Sequence, residues 1–179
     1  MKINPLNSSV SFGKIPVAEF NVERRSAQGI RENIPVVVSR LEEKDYDEYF
    51  TEERTKKISM FRFFNHKKPD SRNNETYIIT NKRSDELLGA ADCYNQGDIM
   101  DLSIIGTSTN KEYHGLGKAL LAGIIKDISG KLKSMHVPVV LDNAFLFYKK
   151  CHFDYNYVED EFILYEDKFQ TLIDDANRE

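Results

Sequence analysis

The sequence predicts a single-domain α/β (α+β) protein, a mixed β-sheet flanked by helices. Three observations predict it. Short β-branched and apolar runs recur along the chain, two of them placed like the arms of a hairpin. One segment carries an unbroken i, i+4 apolar row long enough for a helix that covers a sheet. The 179 residues are near the usual size of one domain and hold neither an internal repeat nor a linker-like tract.

Residues 1–33 mix Asn, Ser, Gly and Arg with short apolar pieces and are read as an N-terminal extension, partly disordered or packed as one added strand. The domain proper is expected over residues 34–179. Pro35-Val36-Val37-Val38 reads as a buried strand. Ser39 or Asp45 would cap a helix that places Tyr46, Tyr49 and Phe50 on one face. The basic stretch 54–83 reads as a solvated helix and loop surface. Residues 75–80 and 87–94 are expected as strands joined by the polar residues 81–86, and 100–105 as a further strand entered through Asn95-Gln96-Gly97-Asp98. Leu116, Leu120, Ile124, Ile128 and Leu132 form the i, i+4 row of the main helix, with Lys126, Lys131 and Lys133 toward its C-terminal end, where cations complement the dipole. Beyond Pro138, residues 139–141 read as a short buried strand. A short helix over 144–150, strands over 153–158 and 161–165, and a polar, acidic terminal helix close the chain.

Composition narrows the function classes. Hydrophobic residues make up 40% and charged residues 30%, a folded rather than disordered composition. The formal charge, 25 − 29 = −4, gives no general attraction to nucleic acid or anionic lipid, so neither is expected as a partner. No apolar run approaches the roughly 20 residues that span a bilayer. Cys93 and Cys151 make no disulfide framework and suit a reducing cytoplasm, the expected compartment. They read as buried small residues. The histidines, among them His66, His136 and His152, lack ligand-like spacing, and no metal is expected.

The segment 100–121 carries the chemistry. It runs from a strand through a polar loop into Gly115-Leu116-Gly117 and then the long helix. The first turn of a helix leaves backbone N–H groups without partners and is partly positive, and glycines there let a phosphate approach. On these residues alone, a phosphate site over 113–119 and a plain tight turn stay open. A Walker loop fits poorly because Ala119 follows Lys118, and a dinucleotide fingerprint because Leu120 stands where its third glycine would fall.

This stretch resembles the signature of the GNAT family, the acetyl-CoA-dependent N-acetyltransferases. That signature is Gln/Arg-x-x-Gly-x-Gly/Ala at a helix start with paired leucines, here Glu112-Tyr113-His114-Gly115-Leu116-Gly117-Lys118-Ala119-Leu120-Leu121. A downstream Ala-x-x-Phe-Tyr-x-x-x-Gly-Phe element is similar to Ala144-Phe145-Leu146-Phe147-Tyr148-Lys149-Lys150-Cys151-His152-Phe153. The opening strand with Arg40-Leu41 and the acidic residues 42–47 add a third, looser likeness, and together the three cover residues 34–166. The resemblance implies a GNAT-type, mostly antiparallel central sheet. Two registers of the signature are possible. One uses Gly115 and Gly117 as its small residues and puts Glu112 in the Gln/Arg place; the other uses Gly117 and Ala119 and puts His114 there. The second is preferred, because a carboxylate repels a pyrophosphate. His152 stands where the family has glycine. Leu141 stands where it often has Asn, with Asn143 two positions displaced.

What the resemblance implies is direct transfer of acetyl from acetyl-CoA, as co-substrate, to a small-molecule amine or a protein amino group. The implied cofactor contacts are Ile105, Gly106 and Thr107 at the strand end, Tyr113, His114, Gly115, Leu116, Gly117, Lys118 and Ala119 at the loop and helix start, and Asn143. Backbone donors near Ile105 would hold the carbonyl oxygen that gains charge. Tyr148 would return a proton to the leaving thiolate, and Asp101, with Asp92 behind it, would take the proton of the amine. The alternative is a catalytically inactive protein of the same fold that binds a CoA-like ligand or a partner. Acceptor choice would lie in residues 45–70 and 153–166, and the assembly would be a monomer or homodimer.

Overall fold

The computed structural model describes residues 14–59, 73–138 and 144–178. Two long strands open it, β1 (Lys14–Arg25) and β2 (Arg31–Leu41), paired antiparallel. Residues 14–25 lie within the segment read as an extension. The break placed at residue 34 falls inside β2, whose first three residues pair with residues 23–25 of β1. Alternation drives both strands: Ala18, Phe20 and Val22 on β1 and Ile34, Val36 and Val38 on β2 are buried, while Glu19, Asn21 and Glu32 point outward. A 3₁₀ turn (Glu43–Asp45) and two one-turn helices, α1 (Tyr46–Tyr49) and α2 (Glu52–Thr55), follow. Thr51 caps α2 by accepting the Arg54 N–H. Ser39 is a buried residue of β2 rather than a cap.

The middle of the chain is β3 (Asn74–Asn81), β4 (Leu87–Asn95), β5 (Ile99–Thr107), β6 (Tyr113–His114), α3 (Leu116–Ile128) and β7 (Ser134–Val137). It closes with α4 (Phe145–Lys150), β8 (Asp154–Asn156), β9 (Glu161–Tyr165), a 3₁₀ turn and α5 (Phe169–Arg178). Among the described residues the sheet has nine strands in the order β6-β1-β2-β3-β4-β5-β7-β9-β8. Every pairing is antiparallel except β5 with β7, the two strands that α3 connects. The helix expected to run to Leu132 ends at Ile128, because Gly130 takes φ +78° and turns the chain into β7. The strand expected at 139–141 lies outside the described residues. Among those described, no helix is long and apolar enough to cross a membrane.

Two cores sit on opposite faces of the sheet. The larger packs α3 and α5 against the sheet through Leu120, Leu121, Ile124, Ile125, Leu172 and their neighbours. The smaller packs Tyr46, Tyr49, Phe50 and Ile58 against Ile78, Leu87, Ala90 and Ile104. Asp127 pins the end of α3 to the sheet. It meets the Arg40 guanidinium at 2.9 Å, and the Tyr77 hydroxyl lies 2.9 Å from the same carboxylate.

The approach of α3 to the sheet is set by Gly123. A Cβ there would lie 2.6 Å from both Cβ and Cγ1 of Val38, whose branched side chain has no flexible end to yield. Gly123→Ala is therefore expected to lower stability by about 1–3 kcal/mol despite alanine's better helix propensity. Urea denaturation of the variant beside the parent chain measures it.

Candidate functional site

Among the described residues, parallel pairing of β5 with β7 covers Ile99, Met100 and Asp101, against Ser134, Met135 and His136, and then stops. The cause is local. Asp92 faces Ile104 and Cys93 faces Leu102, so Ser103 is an extra residue on β5, a bulge that bends the strand. The Ser108 N–H bonds Leu88 O on β4, whereas the Thr107 N–H and C=O both bond Ser59 on the other side. Backbone groups alternate sides along a strand. The amide of Ile105 therefore faces away from β4, on the side of the gap where, among the described residues, β7 no longer pairs with residues 102–106. Thr107, expected among the cofactor contacts, has its backbone taken: Ser59 N–H donates to Thr107 O (2.9 Å) and Thr107 N–H to Ser59 Oγ (3.1 Å). Gly106 is buried, and its carbonyl oxygen would lie 2.8 Å from a Cβ on Gly89, so that neighbour has to be glycine.

Beside the gap stands the start of α3. Gly115 is its N-cap at φ +86°, a left-handed conformation that favours glycine, and the first turn has no acidic residue. The Ala119 N–H already bonds Gly115 O at 2.9 Å, which removes Ala119 from the expected donors and leaves Leu116 and Gly117 at the first positions of the helix. The small residues at the helix start are Gly115 and Gly117, as in the first of the two registers. His114 belongs to β6, paired with Glu23 of β1. The objection to Glu112 in the Gln/Arg place falls for a tertiary reason. Arg24 of β1 holds that carboxylate at 2.9 Å, and the Arg25 N–H bonds Glu112 O at 2.8 Å. Tyr113 lies under Arg24, its ring centroid 5.8 Å from the guanidinium carbon. Lys118 lies close enough to Asp175 of α5 to help hold that carboxyl below its ordinary value, behind the larger effect of His152.

The third wall is α4. A Cβ on Gly117 would lie 3.0 Å from Cζ of Phe147 and 4.0 Å from Cγ2 of Thr107, so the first turn of α3, the end of β5 and α4 converge at one point. Tyr148 is buried, packed edge-on against Phe147 and Phe153 at centroid distances of 5.1 and 5.3 Å. Burial, with Cys151 and Cys93 nearby, pushes its hydroxyl above the ordinary phenol range, so it keeps its proton. His152 takes φ +69°, the conformation that glycine would adopt there, and its Nε2 meets Asp175 Oδ2 at 2.7 Å. Neither cysteine forms a disulfide and both are buried, and burial raises the Cys93 thiol well above its ordinary value. Asn143 lies outside the described residues.

On the face that carries α1 and α2, Asp92 accepts the Thr76 hydroxyl at 2.6 Å, and the Tyr46 hydroxyl lies 2.5 Å from Thr76 Oγ1. Burial pushes Tyr46 up to about 12. Asp101 shares that face, accepts from the Gln96 side-chain amide and pairs in register with His136. The sequence had weighed His136 only as a metal ligand. Its partner Glu161 is 25 residues away, and no local pattern joins them. Among the described residues, no group of three or more His, Cys, Asp or Glu is arranged to hold a metal ion.

No family model and no curated protein matches the sequence. Solved structures match its fold. The ribosomal-protein-S18-alanine N-acetyltransferase from Escherichia coli superposes with a TM-score of 0.50 at 15% identity, over 72% of this chain and 89% of that one. Apo FdhC, a nucleotide-linked sugar GNAT, gives 0.50 at 12% identity, over 86% and 94%. The chain has the GNAT fold. A third similar structure, AtaT complexed with acetyl-methionyl-tRNAfMet, gives 0.50 at 11% identity, over 76% and 98%. It overturns the expectation of no nucleic-acid partner: a protein of this fold engages tRNA. A net charge of −4 describes the whole surface, and binding depends on local patches.

Asp92 yields a pH prediction. Burial, opposed by the Thr76 and Tyr46 hydrogen bonds, holds its carboxyl above the ordinary 3.8. The folded state thus binds this proton more tightly than the unfolded state. The resulting stabilisation is full below about pH 3.8 and is lost as pH rises through the folded-state value. Asp92→Asn, which cannot ionise, should gain stability relative to the parent chain between pH 4 and pH 7, measured by urea unfolding across that range.

Proposed function

We propose that the protein is an acetyl-CoA-dependent N-acetyltransferase that acetylates a primary amine by direct attack in a ternary complex. The observation that carries this reading is the convergence at Gly117. An anion-favouring helix start, a strand end with an inward amide and a tyrosine-bearing helix meet at one point, beside a gap in the sheet. The residues suit acetyl-CoA. Leu116 and Gly117 offer backbone N–H groups to a pyrophosphate at the positive end of α3, and Arg24 neutralises the one carboxylate in the loop that would repel it. When bound, acetyl-CoA supplies an activated thioester.

The chain's own residues do the rest. The Ile105 N–H is oriented to hold the carbonyl oxygen as it gains charge. Tyr148, protonated and buried, donates to the leaving sulfur. Asp101, on the opposite face from α3, draws the acceptor's ammonium group toward the gap. The GNAT neighbours support the reading through their shared fold, and the tRNA-bound AtaT is the reason to include aminoacyl-tRNA among the acceptors tried.

Calorimetry with acetyl-CoA is the first test. Micromolar binding is expected, weakened at least about 100-fold by Gly115→Glu, which combines a side chain at positive φ with a negative charge at the anion site. No binding at millimolar acetyl-CoA would sink the reading. An acceptor panel of a hexapeptide with a free N-terminus, spermidine and methionyl-tRNA then follows. Tyr148→Phe should lower kcat by about 100-fold on whichever acceptor is used while leaving acetyl-CoA affinity intact.

A further inference from the structure

The turn that ends α4 is a complete Schellman motif with an L-residue where glycine fits best. Cys151 is its C-cap, and His152 follows at φ +69°. The Phe153 N–H bonds Tyr148 O at 3.1 Å, and the His152 N–H bonds Lys149 O at 3.2 Å. The Phe153 ring packs on Tyr148, 5.3 Å between centroids, as the hydrophobic contact of the motif. Left-handed backbone costs any residue with a Cβ, histidine included. What the side chain obtains there is reach. Its Nε2–H donates to Asp175 Oδ2 on α5 at 2.7 Å. Asp175 also meets Arg178 at 3.6 Å and feels the charge of Lys118 on the first turn of α3. Leu172 and Ala176, beside Asp175 on α5, are buried in the α3 core. The end of α4 is thus tied through α5 to the helix whose start adjoins Phe147.

We propose that His152 is a positioning residue for acetyl transfer, fixing the turn of α4 from which Tyr148 presents its hydroxyl to the leaving sulfur. This rests on the acetyltransferase reading above and adds to it a residue that stands where the resembling family has glycine. Stability does not account for the histidine. Side-chain exposures of 32% and 30% leave the His152–Asp175 pair open to water, and pairs so exposed contribute little. The left-handed conformation meanwhile opposes folding. A glycine would relax the backbone and keep both hydrogen bonds of the turn, which need only main-chain atoms. It would also release α4 from α5. Tyr148 is the residue whose carbonyl closes the turn and whose ring meets Phe153, so slack in the turn passes directly to the phenol. A proton donor must lie within hydrogen-bond reach of the atom it serves, and small displacements lower the rate steeply.

The test uses the full chain, acetyl-CoA and the best acceptor of the panel above. His152→Gly should keep or raise the midpoint of urea unfolding while lowering kcat about tenfold, with acetyl-CoA affinity by calorimetry and KM for the amine changed less than twofold. A purely structural residue would move stability and rate together. Asp175→Ala cuts the same tie without touching the turn. It should lower kcat equally, and the two changes combined should cost no more than either alone. The decisive comparison is made in the Tyr148→Phe background. There His152→Gly should change kcat less than twofold, because the group that it positions is gone. Should His152→Gly fail to fold, Asp175→Ala and its cycle with Tyr148→Phe decide. If the loss is as large in the Tyr148→Phe background as in the parent, is under threefold in the parent, or only follows a loss of stability, the proposal is wrong while the acetyltransferase reading stands. The same holds if Tyr148→Phe itself leaves kcat unchanged. If the parent chain fails to bind acetyl-CoA, both fall together.

Discussion

Three residues of parallel pairing join β5 to β7, and everything that resembles a site in this protein depends on the pairing ending there. A sheet ladder normally satisfies every backbone amide in its interior. The extra residue at Ser103 turns β5 away and leaves a gap in mid-sheet that, among the described residues, neither neighbouring strand fills. Buried strands tolerate such an interruption only where something else meets the exposed groups. At one end residues 57–59 do so through Ser59. Further in, the Ile105 amide is left facing the gap.

Close packing then aligns the walls of that gap. Gly123 lets α3 lie against Val38, and Gly117 lets the first turn of the same helix lie against Phe147. The helix start is thereby held at the strand end, and α4 at the helix start. His152 extends the same economy of space. It occupies a left-handed position that costs an L-residue roughly 1–2 kcal/mol, and its ring reaches Asp175 on α5. The first strand contributes through charge: Arg24 of β1 takes the Glu112 carboxylate in the loop before α3.

Much of the fold was legible in the residues. The apolar row from Leu116 to Ile128, the hairpin of β3 and β4, and β9 follow directly from periodicity, because burial on one face imposes a period on the side chains themselves. Boundaries were less legible. Gly130 stopped α3 before Leu132, and β7 formed where the helix had been expected to run out, because a glycine in left-handed conformation outweighed an apolar pattern that would have continued. The helix start was found, but the charged partner beside it was not. Choosing between Glu112 and His114 on local charge overlooked Arg24, 88 residues earlier in the chain.

The sequence by itself determined the mixed sheet, the amphipathic helix with glycines at its start and the tyrosine of α4, since each is written in local periodicity or in a short motif. Tertiary structure alone decided which amides are available, which carboxylates are neutralised and which groups share a face. The backbone N–H groups of Ala119 and Thr107 are already bonded within the fold. Glu112 became tolerable through an arginine on β1, and His136 acquired Glu161 only when β7 came to lie between β5 and β9. Hydrogen bonds and ion pairs act over a few ångströms in space, whatever the separation along the chain. A motif can therefore place a helix start, but the partners that tune its chemistry arrive from elsewhere in the fold.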